Sequence, residues 1–153
     1  MMMQTLLYFH SLFRWLVLLF LIFNIYQGIK GVIKKNKFSK FDNFLRHWTA
    51  TIAHIQLLIG ILLYTQSGTV KYFWKNFKAS LSNIDTTFFG LIHLFLMLIA
   101  IVFITIGAAK SKRQSIDQDK YKTMLIWYTI GLIIIFIAIP WPFSPLVNRP
   151  LIR

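Results

Sequence analysis

The sequence predicts an all-α integral membrane protein built as a four-helix bundle. Of its 153 residues, 57% are hydrophobic and only four are acidic, a composition typical of membrane proteins rather than of soluble domains of this length. A transmembrane helix needs about 20 mostly apolar residues. Four stretches qualify, at 6–29, 45–65, 87–108 and 123–139. Because backbone groups in lipid must be hydrogen-bonded internally, we expect all four to be helices of a single domain.

The first apolar stretch resembles a secretory signal peptide only in its position. Its apolar run is much longer than the hydrophobic region of a signal peptide, and no small-residue cleavage site follows it. Gly28 and Lys30 lead directly into a basic loop. We therefore expect a retained helix.

The basic residues predict the orientation. The first and third loops carry most of the lysines and arginines, whereas the second loop and the C-terminal tail carry few. Short cytoplasmic loops accumulate Lys and Arg, so we expect loops one and three inside and both termini outside. The basic residues are Lys30, Lys34, Lys35, Lys37, Lys40 and Arg46 at the first loop, Lys110, Lys112, Arg113, Lys120 and Lys122 at the third, Lys71, Lys75 and Lys78 at the second, and Arg149 and Arg153 in the tail.

The second loop, residues 66–86, is the only long connection. Its segment 71–78 mixes aromatic residues with lysines, as an amphipathic helix lying in the headgroup region does. We expect a short interfacial helix there. The alternative is a lid over an outward-facing pocket or a docking strip for a partner.

Composition also excludes several chemistries. The chain has no cysteine, which excludes disulfides, iron–sulfur clusters, thiolate metal sites and covalently attached haem. All four acidic residues are expected in loops, which argues against a proton pump with membrane-buried acids. The net charge of +13 lies beside membrane spans and is attributed to anionic lipid headgroups rather than to nucleic acid.

Three histidines lie inside the apolar stretches: His10, His54 and His93. A neutral imidazole in hydrocarbon needs partners for its ring nitrogens, and imidazole is also the commonest metal ligand. Haem iron is one explanation. The fourth histidine, His47, is expected to anchor a helix at the cytoplasmic interface.

His93 has small residues and a methionine on its helix face. At helical spacing these are Gly90, Met97 and Ala100. We expect them to line a recess in which a flat macrocycle binds. Close helix packing explains the same small residues without a cofactor.

His54 is the deepest of the three and is expected to face the bundle interior, as a ligand or in an interhelical hydrogen bond with Asn24, Gln56 or a hydroxyl group. His10 is followed by Arg14 on the same helix face. An arginine in a membrane pairs with an anion, and either a haem propionate or a lipid phosphate would serve.

Depth tests which histidines can share one iron atom. At about 1.5 Å per residue, the depths from the outer ends are roughly 6 Å for His10, 16 Å for His54 and 9 Å for His93. His10 and His93 match best. Bis-histidine ligation is therefore expected to include His93, with its partner left open between His10 and His54.

The chain resembles a group of small four-span membrane proteins of Bacteroidota that are commonly labelled cytochrome b-like. The resemblance covers nearly the whole length and rests on HSLFRW at 10–15, AHIQLLIG at 53–60, His93 with Met97, ITIG at 104–107 and IPWP at 139–142. It implies haem b or a related redox cofactor. Similar sequences often carry Glu immediately before the third-helix histidine, whereas this chain has Ile92.

Three functions remain open from the sequence. The first is a haem b protein of a bacterial cytoplasmic membrane that passes electrons from quinone or a membrane partner to an acceptor at the outer face. The second is a cofactor-free accessory subunit of a larger membrane complex. The third is copper or zinc binding by the histidines. Hydrolytic and nucleotide-dependent functions have no supporting motif.

Overall fold

A computed structural model describes residues 2–151, with side chains from residue 3, and Arg153 of the basic tail lies outside the described residues. Each long helix begins or ends beyond the apolar stretch that predicts it, because polar residues continue the helices into the headgroup region. The helices are α1 (Met2–Ile33), α2 (Lys40–Gln66), α3 (Gly68–Lys75), α4 (Phe77–Ser80), α5 (Ile84–Thr87), α6 (His93–Arg113) and α7 (Asp117–Ala138), and a π-helical turn (Phe88–Ile92) joins α5 to α6.

The described residues contain four helices long and apolar enough to cross a membrane, which confirms the predicted bundle. In the third of these, α5, the π-helical turn and α6 form one continuous span, Ile84–Arg113. Around the bundle, α1 packs against α2 and α7, and α6 packs against the same two helices. The helices α1 and α6 are therefore diagonal partners across the bundle.

The two ends of the bundle differ. At one end, the Arg14 side chain of α1 donates a hydrogen bond to the backbone carbonyl of Leu151, so the first half of α1 and the last described residue lie there; we call this the terminal end. At the other end, Gln118 donates to the carbonyls of Gly31 and Asn36 and joins the first loop to the third. That second end holds most of the lysines and is called the basic end.

The interfacial helix expected in the second loop is present as α3. Its Val70 and Phe73 side chains are buried against the bundle, whereas Tyr72 and Trp74 are more than half exposed. Trp74 donates to the hydroxyl of Tyr64 at 2.7 Å. The loop therefore lies over the terminal end as an amphipathic cover.

The four acidic residues occupy the first turns of helices, so their expected position in loops is wrong. They are Asp42 in α2, Asp85 in α5, and Asp117 and Asp119 in α7. Carboxylates stabilise helix N-termini by interacting with the positive end of the helix dipole. Asp42 is also buried, where it completes a capping box with Ser39 and accepts a 2.7 Å hydrogen bond from the hydroxyl of Tyr121.

Glycines allow close contact between α6 and α7. A Cβ atom on Gly131 would lie 2.8 Å from Cγ1 of Ile104, and a Cβ on Gly107 would overlap the Trp127 side chain. Small residues at helix interfaces let membrane helices approach closely. The helices α6 and α7 therefore pack closely together, and α6 carries His93 at the terminal end of the bundle.

After α7 the chain leaves the membrane span at Pro140, because proline cannot continue a helix. Residues 139–151 then cross the terminal end as an irregular segment with a turn at residues 142–143, which we call the strap. Arg149 of the strap forms an ion pair with Asp85 and lies over the ring of Phe89, 5.0 Å from its centre. The strap thus connects the end of α7 to the start of the third span.

Candidate functional site

A cavity of about 350 Å³ lies within the terminal end of the bundle. Its walls come from α1, α2, α3, the π-helical turn, α6 and the strap. Most of the lining is apolar, with a small set of polar side chains that converge on one region. The polar members include His10, Ser11, Arg14, Gln56, Tyr64, His93 and Arg149, and the apolar members include Leu7, Leu57, Leu63, Leu94, Met97 and Ile101.

His10 and His93 face each other in this cavity. Their ring centres lie 6.3 Å apart, with the ring planes inclined at 65°. One ring comes from α1 and the other from α6, which are the diagonal helices, so the pair spans the middle of the bundle. This contact agrees with the similar depths that the sequence predicts for the two histidines.

His93 is held in one orientation by its neighbours. Its Nδ1 atom lies 2.8 Å from the backbone carbonyl oxygen of Ala138, and because a carbonyl only accepts, Nδ1 carries the proton. The ring also packs against Phe88 and Phe89, at centre distances of 5.7 and 6.4 Å. In the neutral imidazole, Nε2 of His93 then retains its lone pair.

The π-helical turn Phe88–Ile92 ends immediately before His93, whose backbone N–H donates to the carbonyl of Phe88. π-helical turns are rare and occur frequently at functional sites. The extra residue in this turn changes which side chains share a face with His93. Periodicity counted along a regular α-helix therefore fails on the N-terminal side of this histidine.

His10 has a different environment. Its Nδ1 atom is buried and has no hydrogen-bond partner. Its backbone carbonyl accepts a 2.9 Å hydrogen bond from the Gln56 amide, whose Oε1 atom is itself buried without a partner. On the side facing α2 the ring lies against Gly60, where an added Cβ would approach Cε1 of His10 to 3.3 Å. The backbone at His10 is thus tethered while the ring is not.

Arg14 supplies positive charge beside the two histidines. Its guanidinium group donates to the carbonyl of Leu151, and its Nε atom is buried without a hydrogen-bond partner. Among the residues that the structure describes, neither ion pair involves it. An arginine within a membrane span is normally paired with an anion or with carbonyl oxygens. Arg14 therefore has capacity left to bind an anionic group in the cavity.

His54 does not join this cluster, and the expectation that it faces the bundle interior is wrong. Its side chain is exposed on α2 and lies 3.0 Å from Oγ1 of Thr105. Thr105 donates its own hydrogen to the carbonyl of Ile101, so its oxygen accepts from Nε2–H of His54. Thr105 is about 18 Å along the helix from His93. The other prediction for His54, an interhelical hydrogen bond to a hydroxyl group, is confirmed by this contact with Thr105.

The residues that line the cavity beside His93 agree only in part with the recess that the sequence predicts. Met97 lines the cavity, but Gly90 and Ala100 do not. The space above Gly90 is filled by the Phe73 ring, while Ala100 is buried in the core near Gly131 of α7. Both small residues thus serve helix packing, which is the other explanation for them.

Among the cavity residues that the sequence analysis did not place in the site are Gln56, Gly60, Tyr64 and Arg149. Gln56, Gly60 and Tyr64 follow one another at intervals of four, which places them on one face of α2. That spacing was a usable signal, because a polar residue and a glycine in register mark a face turned away from lipid. Arg149 carried no comparable signal, since it reaches the cavity only because the strap folds back.

Within residues 2–151, no group of three or more His, Asp or Glu side chains is placed to hold a metal ion. A copper or zinc site made entirely of protein ligands usually needs three or four donors. The described cavity instead offers two imidazoles and two guanidinium groups. That donor set suits a cofactor that supplies most of its own metal ligands.

No protein-family model matches this chain, and comparisons with curated proteins and with solved structures find no significant similarity.

Proposed function

We propose that this chain is a haem b protein of a bacterial cytoplasmic membrane and that His10 and His93 would hold the haem iron. The observation that carries the proposal is the facing pair of rings in a mainly apolar cavity, 6.3 Å apart between their centres. The proposed role is electron transfer between quinone or a membrane partner and an acceptor at the outer face.

The spacing of the two rings fits a shared metal ion. Metal–imidazole bonds are about 2.0 Å long, so two imidazole rings with centres roughly 6 Å apart could both bind one metal ion. The ring-centre distance between His10 and His93 therefore supports their assignment as the two residues that would hold the iron.

The hydrogen bond from His93 to Ala138 also supports ligation. Metal-binding histidines almost always donate their other ring N–H to a carboxylate, a carbonyl or water, which selects the tautomer and orients the ring. Nδ1 of His93 makes this bond at 2.8 Å and leaves Nε2 to bind the metal. The bond is present without haem, and it gives the His93 ring the tautomer and orientation that a metal ligand requires.

Charge in the cavity fits the acidic groups of haem b. Arg14 and Arg149 both line the cavity, and arginine pairs with carboxylates through several hydrogen bonds. Arg149 already forms an ion pair with Asp85, whereas Arg14 has its Nε–H free. We propose Arg14 as the main propionate partner, with Met97 and the leucines of the lining excluding water from the macrocycle.

When bound, haem supplies one-electron chemistry, and its potential depends on the axial ligands and on the polarity of their surroundings. The chain contributes two imidazole ligands and a cation that offsets the propionate charge. If the basic end is cytoplasmic, the cavity lies near the outer leaflet. Quinone in the bilayer and an acceptor outside the membrane are then both within reach, and the lysines at the basic end contact anionic lipids.

The test is the absorption spectrum of protein purified from haem-replete cells. We expect an α-band in the reduced-minus-oxidised spectrum of the wild type, and its loss in His93→Ala. His54→Ala is the matched control, because it also removes a histidine from a membrane span but leaves the cavity intact. A colourless wild type, or a spectrum that survives His93→Ala and disappears in His54→Ala, would reject the proposal.

A cofactor-free accessory subunit is the second candidate. It is favoured by exposed aromatic residues over the terminal end: Tyr72 is 55% exposed, Trp74 53% and Phe77 42%. A flat aromatic surface of this kind suits contact with another membrane protein. A colourless protein that co-purifies in fixed ratio with a partner, and keeps that partner after replacement of His10 and His93, would establish this function instead.

A further inference from the structure

We infer that the two ligands are unequal: His93 is the permanent ligand of the iron, and His10 is displaceable by a small uncharged molecule that binds ferrous iron. This inference rests on the proposed function. It adds a ligand-binding activity to electron transfer, and it follows from how differently the protein holds the two rings.

His93 is constrained from several directions. A hydrogen bond from Nδ1 ties it to the carbonyl of Ala138 in the last turn of α7, and the rings of Phe88 and Phe89 pack against it. Phe88 is itself completely buried. Turning the His93 ring would break the hydrogen bond and leave a carbonyl unpaired in apolar surroundings, which is costly.

His10 has none of these constraints on its ring. Nδ1 is buried without a partner, and within residues 2–151 the only aromatic ring in contact with it is that of His93 itself. Loss of such a partner lowers metal affinity by about 10–100-fold in proteins with histidine ligands. His10 is therefore expected to be the weaker ligand by a factor of this order.

The neighbours of His10 permit the ring to move while the chain stays in place. Gln56 holds the backbone through the carbonyl of His10, so α1 remains docked on α2. Gly60 presents no side chain to the ring. Rotation about the side-chain bonds of His10 therefore requires no unwinding of either helix.

Displacement is a ligand exchange without electron transfer. The bond between iron and Nε2 of His10 breaks, a bond between iron and the incoming molecule forms, and the iron remains ferrous. The incoming class is a neutral diatomic with a donor lone pair, since a small uncharged molecule loses little solvation on entering a mainly apolar cavity. Carbon monoxide is the probe because its complexes are followed by absorption.

The experiment adds carbon monoxide to the haem-loaded protein after reduction. We expect the wild type to bind it with a rate that levels off at high concentration, because departure of His10 becomes limiting. His10→Gly should retain haem through His93 and bind carbon monoxide at a rate proportional to its concentration. Added imidazole should restore the slow behaviour of the wild type.

A second pair of variants tests the missing hydrogen bond directly. Gly60→Ser places a hydroxyl acceptor beside His10, where a Cβ would lie 3.8 Å from Nδ1, and should slow binding by about 10–100-fold. Gly60→Ala fills the same space without an acceptor and is the matched control.

The outcomes separate the two proposals. A wild type that holds no haem overturns the proposed function and this inference with it. A haem-loaded wild type that binds no carbon monoxide overturns the inference alone. So does the reverse behaviour, in which His93→Gly opens the binding site and His10→Gly loses haem.

Discussion

His93 on α6 donates a hydrogen bond from Nδ1 to the carbonyl of Ala138 on α7 at 2.8 Å. This bond links the third and fourth spans at the level of the cavity and assigns the ring a single tautomer. Its acceptor is free because α7 ends at Ala138, and the last carbonyls of a helix have no N–H partner within that helix. The end of one helix thus orients a side chain of its neighbour.

The contact between Gly90 and Phe73 predicts a local stability effect. We expect Gly90→Ala to destabilise the fold by about 1–3 kcal/mol, because the new methyl group overlaps the buried Phe73 ring. Thermal unfolding in detergent micelles measures the change. Gly68→Ala is the control, since nothing lies within 4 Å of a Cβ added there. Equal melting temperatures for the two variants would contradict the packing described for α3.

The hydrogen bond between Tyr121 and Asp42 predicts a second stability effect. Tyr121→Phe removes the hydroxyl that donates to the buried Asp42 carboxylate, and we expect a loss of about 1–3 kcal/mol. Tyr26→Phe is the matched control, because Tyr26 is 57% exposed. A double-mutant cycle with Asp42→Ala should recover a coupling energy, and additive effects would show that the contact contributes nothing.

The ion pair between Arg149 and Asp85 predicts how the strap behaves. Exposed ion pairs contribute at most about 1 kcal/mol, so Arg149→Gln should leave the melting temperature almost unchanged. It should nevertheless increase amide hydrogen exchange in residues 140–151, because Arg149 joins the strap to α5 and to Phe89. Arg113→Gln at the basic end is the control. Unchanged exchange in the strap would mean that other contacts hold it.

Orientation can be tested by cysteine labelling because the chain has no cysteine of its own. Ser82→Cys in the second loop and Ser115→Cys in the third both place a thiol at an exposed position. With loops one and three inside, a membrane-impermeant maleimide should label position 82 in intact cells and position 115 only after lysis. The opposite pattern would place the cavity near the cytoplasmic leaflet and move the proposed electron acceptor inside.

Apolar stretches predicted the four spans well and their ends poorly. The second helix begins at Lys40 rather than at residue 45, because Ser39 and Asp42 form a capping box that extends it beyond its apolar part. Such caps depend on side-chain geometry at the helix start. Hydropathy reports only the length that is buried in lipid.

Residue depth predicted the pairing of His10 with His93, but it could not predict which way His54 points. The spans are apolar on all sides, so no hydrophobic stripe marks the inner face. His54 therefore looked as well placed as its neighbours, although Thr105 is its partner on the outside of the bundle. The face carrying Gln56 and Gly60 is the one that turns inward.

By itself, the sequence determined the class of protein, the number of spans, the short helix in the second loop and the similar depth of His10 and His93, because these depend on length and polarity along one dimension. The tertiary structure alone decided which side chains meet. Rotation of each helix about its axis, the π-helical turn before His93 and the return of the strap over the cavity arise from packing between distant residues. Only the tertiary structure shows that Nδ1 of His10 has no hydrogen-bond partner, whereas Nδ1 of His93 donates to Ala138.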